Sequence, residues 1–60
     1  MSDLKELNEY VNEVMMRHPS LKEEVVDLFQ LATSEVESGE SEWNECQLAT
    51  GSIMDLIEEL

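Results

Sequence analysis

Two residues, Pro19 and Gly39, divide this sixty-residue chain into three segments, and each segment repeats its apolar residues with a helical period. Proline lacks a backbone donor and restricts the residue before it, so it ends a preceding helix. Glycine is common just past a helix C-terminus. No stretch alternates long enough to indicate a strand. Because short connections favour antiparallel neighbours, the sequence predicts an all-α fold: a small three-helix bundle, formed by a helical hairpin and one packed N-terminal helix.

The predicted helices cover about residues 3–17, 21–38 and 42–59 of a single acidic domain, residues 1–60. Ser2 or Asp3 is expected to cap the first helix, and Ser20 with Glu23 forms an S-x-x-E capping box for the second. Gly51 interrupts the third helix and indicates either a kink or a close helix crossing. The apolar stripes are Leu4, Leu7, Val11 and Val14, then Leu21, Val25, Leu28, Ala32 and Val36, then Trp43, Cys46, Ala49 or Thr50, Ile53, Leu56 or Ile57, and Leu60.

One short repeat is present, because QLAT occurs at residues 30–33 and again at 47–50. One tetrapeptide is far short of a repeat architecture. It is either a coincidence in a biased composition or a sign that Ala32 and Ala49 lie where two helices approach closely.

The charge is strongly acidic and unevenly distributed. Fifteen acids face three bases, for a formal net charge of −12, and the bases Lys5, Arg17 and Lys22 all precede residue 23. Affinity for a nucleic-acid backbone comes from cations on phosphates, so direct nucleic-acid binding is disfavoured. Anionic membrane surfaces are disfavoured for the same reason. The excess of negative charge favours a basic or amphipathic surface of a larger protein as the partner.

The sequence predicts no catalytic residue, no cofactor and no metal site. Cys46 and His18 are the only nucleophile and base that could pair, and they fall on or near apolar stripes of different predicted helices. One His and one Cys cannot form a structural zinc site alone. The acids around Gly39 lack the D-x-[DN]-x-[DN]-G pattern of a calcium loop. The chain is therefore interpreted as a non-enzyme.

The acidic turn around Gly39 is the predicted partner-binding surface. Trp43 beside it either packs at the bundle end against Phe29 or Val36, or serves as an interface residue. The leading hypothesis is a non-enzymatic interaction module. Its alternatives are a mimic of DNA phosphates that inhibits a DNA-binding protein or nuclease, a self-associating structural bundle, and a surface that is acidic only for solubility. The candidate residues are Glu35, Glu37, Glu40, Glu42, Trp43 and Glu45.

A family resemblance is carried by three segments: HPSLKEEVVDL at 18–28, EVESGES at 35–41 and SIMDLI at 52–57. Together they resemble the small helical proteins and domains that accompany the UvsW DNA helicase in T4-type tailed bacteriophages. The resemblance covers residues 10–58. It implies a phage accessory protein of DNA replication, recombination or repair, and it implies no catalytic residue. The chain carries no helicase motif, so contact with a protein of that apparatus is expected rather than contact with DNA.

Features of the sequence also bear on location. No apolar run reaches the 18 residues of a membrane span, and the first residues do not match a signal peptide. The single cysteine cannot form an internal disulfide, which fits a reducing compartment. A cytoplasmic location is predicted, in the host cytoplasm if the chain is phage-encoded.

Overall fold

Three helices account for most of the chain in the computed structural model, which describes residues 2–60. They are α1 (Asp3–Arg17), α2 (Lys22–Glu37) and α3 (Glu42–Glu58), with a 3-10 turn at Pro19–Leu21 before α2. No strand occurs in this part of the chain. The all-α three-helix prediction is confirmed, and each described helix end lies within one residue of its predicted place. Met1, which the predicted domain includes, lies outside the described residues.

The junction between α1 and α2 is tighter than the sequence predicts. His18 ends α1 in a non-helical conformation, with φ −133° and ψ 72°, and Pro19 begins the 3-10 turn. The predicted capping box of Ser20 and Glu23 is wrong: Leu21 takes the N-cap position of α2, and no side chain caps it. Ser20 lies inside the 3-10 turn, so its hydroxyl is not in the extended position from which an N-cap residue accepts a backbone hydrogen bond.

The turn between α2 and α3 depends on the backbone of Gly39. Its φ of 107° lies in the left-handed region, which residues with a Cβ seldom adopt. The Gly39 N–H donates to the Val36 carbonyl and the Glu40 N–H to the Glu35 carbonyl, both at 3.0 Å. These two bonds form a Schellman motif, which satisfies carbonyl groups at the end of α2. The predicted helix end at Gly39 is confirmed.

Serine side chains cap the other two helices. The Ser2 hydroxyl accepts the Lys5 N–H at 3.1 Å, and the Ser41 hydroxyl accepts the Asn44 N–H at 3.3 Å. Both caps satisfy backbone donors that have no partner within the helix.

The core contains side chains from all three predicted stripes. Val25 and Ile53 are completely buried. The two ends of the α3 stripe differ from the prediction, because Trp43 and Leu60 are 62% and 66% exposed. The buried set is Leu7, Val11, Val14, Leu21, Val25, Ala32, Cys46, Ala49 and Ile53.

A long-range hydrogen bond fixes the relative direction of α1 and α3. The Leu4 N–H, in the first turn of α1, donates to Glu42 Oε2, in the first turn of α3, at 2.9 Å. The N-termini of α1 and α3 therefore meet at one end of the bundle, beside the Gly39 turn. The helix α2 runs antiparallel to both, because short turns join it to each.

Helix α3 continues through Gly51 without a break. A Cβ at this position would meet no atom within 4 Å, so the hypothesis of a close helix crossing there is wrong. Gly51 is exposed on the helix surface.

The two glycines provide a matched test of the backbone argument, because a Cβ at either one enters open space. Gly39→Ala is expected to lower the free energy of unfolding by about 1–2 kcal/mol, since alanine is strained at positive φ. Gly51→Ala is expected to raise it by about 0.5–1 kcal/mol, since alanine is the better helix former. Urea unfolding followed by circular dichroism measures both changes. Shifts of the same sign in the two variants would contradict the assignment of the turn.

Candidate interaction surface

The six residues predicted to bind a partner do not share one face. Glu37 and Glu40 are exposed near the turn, whereas Glu35, Glu42 and Glu45 are half-buried. Trp43 is exposed, but it lies on a different side of α3 from Glu45. Two separate grooves therefore lie near the acidic turn, one between α1 and α3 and one between α2 and α3.

Glu42 interacts within the bundle. Its carboxylate accepts the Leu4 N–H, and this hydrogen bond is the main reason that the pKa of Glu42 lies below its ordinary value. Partial desolvation opposes the shift, and further hydrogen bonds from Ser2 and from the Asp3 backbone reinforce it. A negative charge at a helix N-terminus is favourable, so Glu42 holds α1 against the hairpin that α2 and α3 form.

Trp43 borders the groove between α1 and α3. The groove has a volume of about 270 Å³. Phe29 and Val36, the packing partners that the sequence suggested for Trp43, are not among the residues that form it. The groove is lined by Asp3, Glu6, Leu7, Tyr10, Trp43, Cys46, Gln47 and Thr50.

Cys46 forms part of the buried side of this groove. Burial raises the pKa of its thiol above the ordinary cysteine value, and the nearby carboxylates of Asp3 and Glu42 raise it further. Cys46 does not lie beside His18. Cys46 and Tyr10 line the same groove, whereas His18 follows the C-terminus of α1, about 12 Å beyond Tyr10 along the helix axis. No cluster of three or more potential metal ligands occurs within residues 2–60.

A second groove, between α2 and α3, was not found from the sequence. Leu31 and Leu48 flank it and are 58% and 60% exposed, while Ala32 and Ala49 beneath them are buried. Leu28 and Ser52 line this groove and also an adjoining depression that is bordered by carboxylates, so the two are continuous. We call the whole feature the hairpin groove, and its residues are Glu24, Asp27, Leu28, Leu31, Ala32, Glu45, Leu48, Ala49, Ser52, Asp55 and Leu56.

The QLAT repeat supplies both sides of the hairpin groove. Its alanines, Ala32 and Ala49, belong to the common core, and its leucines, Leu31 and Leu48, project outward beside them. Of the two hypotheses for the repeat, the structure agrees with small residues at a helix contact. The tetrapeptide was thus the sequence signal for this groove. The sequence alone did not show that the two copies face each other across it.

The hairpin groove lies on a surface that has many more negative charges than positive ones. Residues 23–60 contain eleven acids and no base. Lys22 borders an adjacent depression that shares Asp27 with the hairpin groove. Among residues 2–60 the one ion pair joins Arg17 and Glu13 within α1, at 2.8 Å. Within residues 2–60, none of the carboxylates of the groove forms an ion pair.

Comparison of the chain with protein-family models, curated protein sequences and solved structures found no match. A search of the described helices found none with the length and apolarity required to traverse a bilayer.

The role of Glu42 predicts a pH-dependent stability difference. Because its pKa is lowered in the folded state, its contribution is present above the ordinary glutamate pKa and is lost as the pH falls through the lowered value. Glu42→Gln is expected to reduce the urea midpoint at about pH 7 and to approach wild type once the pH is below the lowered pKa of Glu42, where both side chains are neutral.

Glu9→Gln is the matched control, because Glu9 is exposed on α1. Equal urea midpoints for Glu42→Gln and Glu9→Gln at both pH values would contradict a structural role for Glu42.

Proposed function

We propose that this chain is a non-enzymatic protein-interaction module whose α2–α3 hairpin binds a basic, amphipathic surface of a larger protein. One observation carries the proposal. Leu31 and Leu48 are more than half exposed on opposite sides of one groove, within a hairpin whose one base, Lys22, is the first residue of α2.

The apolar side chains supply affinity in this proposal. Burying a leucine side chain contributes about 1.5–3 kcal/mol, and two such residues near the centre of a contact account for a substantial part of a moderate affinity. Leucines flanking a shared groove are unlike scattered apolar residues on a surface, which need no explanation.

The carboxylates supply selectivity and attraction at a distance. A surface with one sign of charge accelerates association with an oppositely charged partner and disfavours partners of like charge. In this proposal the exposed Glu37 and Glu40 contribute to the field, and Glu45 contributes beside the groove. Glu42 belongs to the bundle rather than to the contact, because it holds the N-terminus of α1.

The resemblance to phage helical proteins suggests in which cellular process the partner works. In that setting, the partner is a protein of a replication, recombination or repair apparatus. The absence of any match to a known family leaves this setting as a prediction, whereas the chemistry of the partner surface follows from the groove and its charge.

Affinity capture with three forms of the protein tests the proposal. The forms are wild type, Leu31→Ser combined with Leu48→Ser, and Met16→Ser, which removes an apolar residue that is 84% exposed outside the groove. A protein with a basic surface should be retained by wild type and by Met16→Ser and lost from the double variant. Circular dichroism checks that each form is folded.

Two outcomes would contradict the proposal. One is that no protein is retained even at low salt, where electrostatic attraction is strongest. The other is retention that ignores the leucines but disappears in a Glu37→Gln, Glu40→Gln variant and in the presence of duplex DNA. That pattern identifies a DNA mimic, whose contact depends on carboxylates alone.

A further inference from the structure

We infer that the hairpin groove binds one amphipathic α-helix whose basic residues lie about ten positions apart on either side of an apolar stripe. This inference rests on the proposed function and adds the conformation and charge spacing of the partner. It follows from the order of polar and apolar residues along the groove.

Along α3, the groove residues Glu45, Leu48, Ser52 and Asp55 follow one another at helical spacing. At a rise of 1.5 Å per residue, Glu45 and Asp55 lie about 15 Å apart along the axis. The apolar part lies between two carboxylates, and a partner that complements both needs positive charges with the same separation.

Residues of α2 complete the apolar centre from the opposite side and add carboxylates at one end only. Leu28 and Leu31 border the middle of the groove, while Glu24 and Asp27 lie at the end that contains Asp55. Because α2 and α3 are antiparallel, Leu31 lies opposite Leu48. The groove thus has an apolar centre with carboxylates at both ends, and the end near Asp55 has more of them.

The shape of the groove also favours side chains over a flat contact. Its floor between the leucines is formed by Ala32 and Ala49, which leave space that larger residues would fill. Leu31 and Leu48 stand on either side. Apolar side chains from one face of a partner helix fit between such ridges, as in other complexes where an amphipathic helix occupies a groove.

A helix suits this surface better than an extended segment. The backbone groups of α2 and α3 are paired within their own helices, so the groove offers no strand edge to an extended peptide. An extended peptide there would cover its unpaired N–H and C=O groups with leucine side chains, at a cost in free energy. A helix satisfies these groups internally and presents only side chains.

A second copy of this chain is a poor occupant of the groove. Its α2 and α3 carry no base beyond Lys22, so two hairpins would bring carboxylates against carboxylates. The apolar stripe of its α1 is already buried, at Leu7, Val11 and Val14. The charge around the groove instead matches a partner helix rich in arginine or lysine.

Designed peptides of about 18 residues, five helical turns, test the inference. The first peptide has two arginines ten positions apart, with leucines three, four and seven positions after the first arginine. The second has the same composition, but its arginines are five positions apart, which points them in different directions. The third has glutamates in place of both arginines. Fluorescence anisotropy of labelled peptides measures binding, and sedimentation measures the oligomeric state of the protein.

The first peptide is expected to bind at least about tenfold more tightly than the second and third. The combined Leu31→Ser, Leu48→Ser variant should lose at least about tenfold in affinity, and Met16→Ser should lose none. Glu45→Gln with Asp55→Gln should remove the preference for the first peptide over the second. The control with equal charge, Glu9→Gln with Glu23→Gln, should retain that preference.

Equal binding of the first two peptides would overturn the inference, as would a protein dimer that involves the groove leucines. If binding ignores arginine spacing but still depends on Leu31 and Leu48, the inference fails and the proposed function stands. If no peptide binds and affinity capture also retains nothing, both fail.

Discussion

The packing of α2 against α3, with Ala32 and Ala49 buried along it, governs the arrangement of the hairpin surface. Both side chains are small and buried, and small residues allow two helices to pack with little between them. Their sequence neighbours Leu31 and Leu48 are consequently turned outward, where the core cannot cover them. The same contact that closes the hairpin therefore leaves two leucines on its exposed side, and the hairpin groove is the result.

The position of α1 depends on a different interaction. The apolar residues Leu7, Val11 and Val14 pack it against the hairpin, and the Glu42 carboxylate binds its first turn through Leu4. This arrangement gives one acid a structural role at a helix N-terminus, where negative charge is favourable. It also places α1 away from the hairpin groove, so the groove stays open. Among the acids that border the groove, Glu24 and Glu45 also lie in the first turns of their helices, and our proposal assigns the whole set to the partner.

Local signals in the sequence predicted the three α-helices but not the 3-10 turn before α2. Proline and glycine placed the helix ends, and the helical period of apolar residues identified most of the core, because both depend on neighbours within a few positions. Ser20 shows where local reasoning fails: the capping-box pattern was present, but Pro19 started a 3-10 turn earlier and took the serine out of the capping position. When two local patterns, such as a capping box and a proline, predict different structures for the same residues, the sequence pattern alone does not show which one forms.

The candidate interaction surface was less predictable, because it depends on residues far apart in the chain. The carboxylate of Glu42 meets a residue 38 positions away, and no feature near Glu42 distinguishes it from exposed acids such as Glu40. Trp43 and Glu45 are close in sequence, but they border different grooves because α3 turns between them. The QLAT repeat indicated the α2–α3 contact, yet only the packing of the two helices shows that its leucines share a groove.

We propose that the hairpin groove, rather than the groove beside Trp43, receives the partner. Intermolecular nuclear Overhauser effects between a bound basic amphipathic peptide and the side chains of the protein test it most directly. The account predicts contacts from the peptide leucines to the methyl groups of Leu31 and Leu48. Contacts confined to the rings of Trp43 and Tyr10 would contradict it and would assign binding to the groove between α1 and α3.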